Sequence, residues 1–224
     1  MISKLPRWIW VGAAFLALSA GMVNAIAFSA FPHKAATHIT GTFSFLSIAL
    51  FEHDVDGAMQ SFFVLFCFFI GALISGIIIH DGHLRMGRRY GFALLVELTL
   101  LLLSTYGFRH SLIWGEYFAS IAAGLQNAMV STYSGAIVRT THMTGNLSDF
   151  GALLGNQIRG AKTKLDVKRI QLLSIIMFSF FFGGLLGVFS YAKLDTLAML
   201  APAAMIAFSA LCYELLRRRV TGKM

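Results

Sequence analysis

The chain has little charge and almost no cysteine. Of 224 residues only 12% are charged and only 10 are acidic, against 57% hydrophobic, and the mean hydropathy is +0.73. Soluble domains carry about a quarter charged residues. The composition therefore excludes a soluble globular protein and marks an integral membrane protein. The two cysteines, Cys67 and Cys212, lie inside apolar segments with no CxxC or histidine companion. That excludes a disulfide framework and gives no zinc-site spacing, so no cofactor is expected. The scarcity of acids leaves a formal net charge of +8. The basic residues, however, stand in short clusters between long apolar runs, the pattern of cytoplasmic loops facing anionic lipid and not of a nucleic-acid surface.

Six apolar segments reach the roughly 20 residues a helix needs to cross a bilayer. They run over Trp8–Phe31, Ala58–His80, Tyr90–Phe108, Leu112–Ile137, Ile170–Tyr191 and Leu194–Leu216. Two further segments, Thr37–Phe51 and Thr141–Gly155, are shorter and more polar. The N-terminus imitates a secretory signal, with Lys4 and Arg7 before an apolar stretch that ends in small residues. Those small residues, GMVNA from Gly21, return as GLQNA from Gly124, so they are read as part of a repeated unit.

The repetition runs through the chain. GMVNA and GLQNA are 103 residues apart, THITG from Thr37 and THMTG from Thr141 are 104 apart, and FFIGALIS from Phe68 and FFFGGLLG from Phe180 are 112 apart. Each half is a long helix, a short polar segment and two long helices, giving a first repeat over 1–108 and a second over 109–224 in one membrane domain. If both short segments are re-entrant and the N-terminus is inside, 15 of the 18 lysines and arginines are cytoplasmic, among them the cluster RGAKTKLDVKR from Arg159. With all eight segments spanning, only 12 are. The positive-inside rule thus favours six spans and cytoplasmic termini. An odd number of spans per half inverts the second half relative to the first, an arrangement common in secondary transporters. The expected fold class is an all-α polytopic membrane protein with six spanning helices and two short re-entrant or broken helices in two inverted repeats.

Candidate site residues follow from polarity in an apolar setting. Read as helices, Thr37, Thr40, Gly41 and Ser44 share one face, as do Thr141, Thr144, Gly145 and Ser148. A second stripe holds His38 in one copy and His142, Asn146 and Asp149 in the other. Thr37 and Thr141 are candidate N-caps, which would offer free N–H groups to an anion. Asn24, Gln126 and Asn127 lie deep in long helices, where an amide needs a partner on a neighbour. These residues read as a substrate site; the alternative is that the hydroxyls bond back to their own helices and the glycines permit close packing. Glu97 sits mid-span and is, with Asp149, the candidate for proton coupling; pairing of Glu97 with His142 or Arg139 is its structural alternative. The outer acids Glu52, Asp54 and Asp56 with His53 read as a solvated loop, and HDGH from His80 is a weak metal motif. The spacings Gly183/Gly187, Gly151/Gly155 and Ala72/Gly76 suit close helix contact.

The stretches GMVNAIAF, THITGTF, GLQNAMV and VRTTHMTGNLSDFGALLG resemble the YoaK family of bacterial membrane proteins, whose domain has no established function. The resemblance implies a polytopic inner-membrane protein and carries no site residues with it. The first copy, with Thr42 and Phe45 where the second has Asn146 and Asp149, follows the family pattern more loosely. The expected function is transport of a small polar or anionic solute across the bacterial inner membrane, proton coupling included. The protein would be no enzyme and would bind no nucleic acid; self-association into a homo-oligomer is left open. The rival readings are a membrane-embedded enzyme using His142 with Asp149 or Glu97 on a lipid-like substrate, and a structural or assembly partner. No nucleophile elbow or HExxH pattern supports the enzyme.

Overall fold

The computed structural model describes residues 7–30, 38–79, 87–110, 112–135, 137–160 and 163–221. These form eight α-helices: α1 (Arg7–Ala30), α2 (Ile39–Phe51), α3 (Val55–Ile78), α4 (Arg88–His110), α5 (Leu112–Ser134), α6 (Met143–Ile158), α7 (Lys164–Leu194) and α8 (Leu200–Thr221). A 3-10 turn at Asp195–Leu197 joins the last two, and no strand occurs among the described residues. Helices are what an apolar chain must form in lipid, because every backbone N–H and C=O then finds its partner within the segment. Hydroxyls inside them turn back to their own backbone: Ser29 donates to the Ala25 carbonyl, Thr105 to Leu101 and Ser174 to Ile170.

Five helices, α1, α3, α4, α7 and α8, are long and apolar enough to cross a membrane. The protein is thus an all-α polytopic membrane protein. The sixth expected span, α5, has the length, at 23 residues, but not the apolarity. Its polar residues are tolerated because it is wrapped by protein: Ala119, Ser120, Leu125 and Met129 are wholly buried. The phenylalanines go the other way. Phe62, Phe66 and Phe69 on α3 and Phe178, Phe181 and Phe182 on α7 are all exposed, as lipid-facing residues are. The helix ends are capped where they leave the bundle. Asp54, from the acidic loop, accepts from the Gly57 N–H and starts α3, and Thr163 with Asp166 forms a capping box that starts α7.

The two halves interlock. α1 packs along α7 and α5 along α3, so the first helix of each half lies against the third helix of the other. A β-carbon on Gly21 would collide with the Phe180 carbonyl, and one on Gly183 with the Leu18 carbonyl. Across the other crossing, Gly124 meets the Phe68 carbonyl and Gly71 the Ile121 carbonyl in the same way. Gly21 and Gly124, like Leu18 and Ile121, are 103 residues apart, while Phe68 and Phe180, like Gly71 and Gly183, are 112 apart. The sequence repeat is therefore also a repeat of backbone contacts, available only where there is no side chain. Gly187 likewise abuts Met22. Gly151, Gly155 and Gly76 do not pack closely: among the described residues nothing lies within 4 Å of the place a β-carbon there would take. Their spacing resembles that of Gly183/Gly187, but α6 and this part of α3 turn those faces away from the bundle.

The short helices stay outside this interlock, α2 on α3 and α6 on α7. At the centre, α4 packs on α5 and on α8, and α8 on α1.

Candidate functional site

Both THxTG segments begin a helix in one and the same way. The residue before the helix is the histidine, His38 for α2 and His142 for α6, and neither histidine side chain caps the helix by a hydrogen bond. Instead each imidazole folds over the first turn and fills the space a β-carbon would take at Gly41 or Gly145. The motif thus pairs a histidine with the one residue that leaves room for its ring. Of the threonines expected as caps, Thr37 lies outside the described residues, and Thr141 donates its hydroxyl to Asn127 Oδ1 at 2.8 Å. That bond ties the start of α6 to α5, so the structure unites two motifs of the second half. Thr40 and Thr144 are exposed, and Ser44 donates back to the Thr40 carbonyl at 3.3 Å.

The position after Gly41 and Gly145 is buried in both copies. Thr42 donates to the His38 carbonyl at 3.1 Å, and Asn146 donates to the Arg139 carbonyl at 2.9 Å, holding the turn that precedes α6. Gln126 reaches across from α5 to the Leu16 carbonyl of α1 at 2.9 Å, a direct tie between the halves. Asn24 lines an open groove of about 400 Å³ with Met143 and Leu147 of α6 and Phe180 of α7. The two THxTG helices share no packed interface among the described residues, so they do not form one site between them.

The acids separate clearly. Asp149 is half-exposed and forms an ion pair at 2.8 Å with Arg169, also half-exposed, a surface contact between α6 and α7. Glu97 is buried in α4, and among the described residues its Oε2 accepts no hydrogen bond. α4 shares no packed face with α6, so Glu97 does not stand beside His142. A second buried acid was not singled out in the sequence. Glu116 on α5 is wholly buried and accepts from Gln60 Nε2 of α3 at 2.6 Å. It stands where the first half has Ala13. The rule that flags an acid inside a span applies to it as to Glu97. HDGH lies outside the described residues, and no cluster of three metal-ligating side chains exists among the described ones.

A second space lies elsewhere, between α1 and α8. Trp8 meets Tyr213 at 6.5 Å between ring centroids and Phe15 meets Phe208 at 5.7 Å. Between these two bridges the helices part around Gly12, Ser209 and Cys212, leaving a cavity of about 410 Å³. Its far wall belongs to α4 and α5, where Tyr90 packs on Tyr133 at 4.6 Å and on Tyr213 at 4.9 Å. None of the THxTG residues lines it.

Buried acids, helices crossing through bare backbone and a cavity at the junction of the halves define a polytopic helical membrane protein built from two interlocked units. Within that class, residues 12–212 match the family described as protein of unknown function (DUF1275), and the chain belongs to it. No match is found among curated proteins or among solved structures.

Proposed function

We propose that the protein carries a small solute across the bacterial inner membrane without acting as an enzyme. The observation that carries this reading is a contrast between equivalent seams. Gly12 in α1 and Gly115 in α5 stand 103 residues apart, the offset of the repeat. Gly115 is locked against Gly107 and Phe108 of α4, and Ser104 donates to its carbonyl at 2.7 Å. Gly12 faces open space. One seam between the halves is closed and its counterpart is hollow, as expected of a carrier with one gate shut and the other open. The halves are taken as oppositely oriented with both termini cytoplasmic, which puts the hollow seam on the cytoplasmic side. α4 and α5 are joined through residue 111 alone, whereas α1 and α8 are far apart in the chain, so the α1–α8 seam is the one assigned as the gate. Glu97, buried on α4, is the group that takes and releases the coupling proton. Asp149 has its own partner at the surface and is assigned no such role.

The test is uptake into proteoliposomes by a protein with Cys67 and Cys212 replaced and Phe15→Cys and Phe208→Cys introduced. Oxidative cross-linking of the pair is expected to stop uptake, with recovery on reduction. Unchanged uptake after complete cross-linking would remove the α1–α8 gate. In the same assay, Glu97→Gln is expected to abolish accumulation driven by a proton gradient while leaving exchange at equal concentrations.

A further inference from the structure

We infer that the cavity between α1 and α8 binds one neutral amphipathic molecule, its apolar body lying along Gly12 and its single polar end on the Tyr133 hydroxyl. This names the solute class for the transport reading and rests on it for the direction of movement, though not for the binding itself.

The lining sets the chemistry. Among the described residues no Asp, Glu, Lys, Arg or His contributes to it, and nearly all of its surface is apolar. A charged or strongly polar solute would lose its hydration there without replacement. The expectation of a polar or anionic solute therefore does not fit this cavity, and the THxTG residues named for such a solute do not reach it. The rim is formed by Val11, Phe15, Phe208 and Leu216, all exposed on the outer faces of α1 and α8. A molecule already dissolved in the bilayer can enter sideways, which suits one that partitions into membranes.

The polar end has one defined destination. Tyr213 is already engaged, donating to the Gly87 carbonyl at 3.0 Å. Tyr133 is 7% exposed; its hydroxyl faces that of Tyr213 and can donate to it, while its oxygen accepts no hydrogen bond among the described residues. Buried phenols as a rule find a partner. A hydroxyl on a bound molecule would supply a donor to the phenol oxygen. The volume, about 410 Å³, is within the range of small-molecule pockets and holds one modest amphiphile, not a two-chain lipid.

The test uses full-length protein in phosphatidylcholine nanodiscs and two probes: a long-chain alcohol bearing a diazirine, and a phosphatidylcholine with the same group in one acyl chain. The alcohol is expected to label α1 and α8 around Gly12 and Cys212. Gly12→Leu puts a side chain into the space, its β-carbon meeting nothing within 4 Å among the described residues, and should abolish that labelling, whereas Gly76→Leu, at an equally open position on α3, should leave it intact. Tyr133→Phe should weaken it roughly fivefold, the value of one buried hydrogen bond. Labelling spread over all lipid-facing helices and indifferent to Gly12→Leu would overturn the proposal. So would labelling of the cavity by the phospholipid and not by the alcohol. Labelling as expected with no uptake of the alcohol beyond that of protein-free liposomes would keep the site and remove transport; protein-dependent uptake without site labelling would keep transport and remove the site.

Discussion

The α4–α5 seam and the α8–α1 seam join corresponding helices of the two halves, yet they are built differently. In the first, Gly107 and Gly115 bring two backbones into contact and a serine hydroxyl closes the gap. In the second, the helices are held apart by aromatic pairs at two levels, with nothing between. The glycine is common to both, so it does not decide the outcome. What decides it is the partner: small residues on α4 accept the approach, whereas Phe208 and Tyr213 on α8 prop the seam open. Duplicated helices have thus acquired different duties through their neighbours.

That contrast can be broken most severely at the shared glycine. Gly115→Leu drives a side chain into the Phe108 backbone and should cost about 3 kcal/mol or more, seen as a large fall in melting temperature in detergent or as loss of folded protein. Gly12→Leu should be neutral or stabilising by up to about 1 kcal/mol, since leucine is the better helix former. Equal damage at the two positions would mean that the α1–α8 seam is not hollow. The direct tie between halves gives a smaller effect: Gln126→Leu loses the bond to the Leu16 carbonyl and should cost about 1 kcal/mol, read from the same melts. Asp149→Asn removes an exposed ion pair and should cost under about 0.5 kcal/mol, with no effect on uptake. A loss of uptake there would return Asp149 to the coupling role.

Much of the architecture was legible in the sequence, for physical reasons. Apolar run length located the helices because lipid imposes it, and the observed ends of α1, α3 and α4 fall within a few residues of the expected ones. The repeat pointed to the interlock because contact between bare backbones tolerates only glycine, so Gly21, Gly124, Gly71 and Gly183 left a mark at fixed offsets. Less legible was what a polar residue inside a helix does. Thr141 looked like a cap and serves as a link to Asn127; Asp149 looked intramembrane and is paired at the surface; Glu116 was not singled out and is buried. Each role depends on a partner helix distant in sequence. The cavity left no motif at all, since it arises where α1 and α8 fail to meet.

The most direct measurement is a pair of spin-label distance distributions in nanodiscs, one between Val11 and Leu211 across α1–α8 and one between Leu102 and Ile113 across α4–α5, all exposed positions. The account predicts a broad or two-peaked distribution across α1–α8 that narrows when the amphipathic alcohol is added, beside a single narrow peak across α4–α5. Two equally narrow distributions, unmoved by the alcohol, would contradict it.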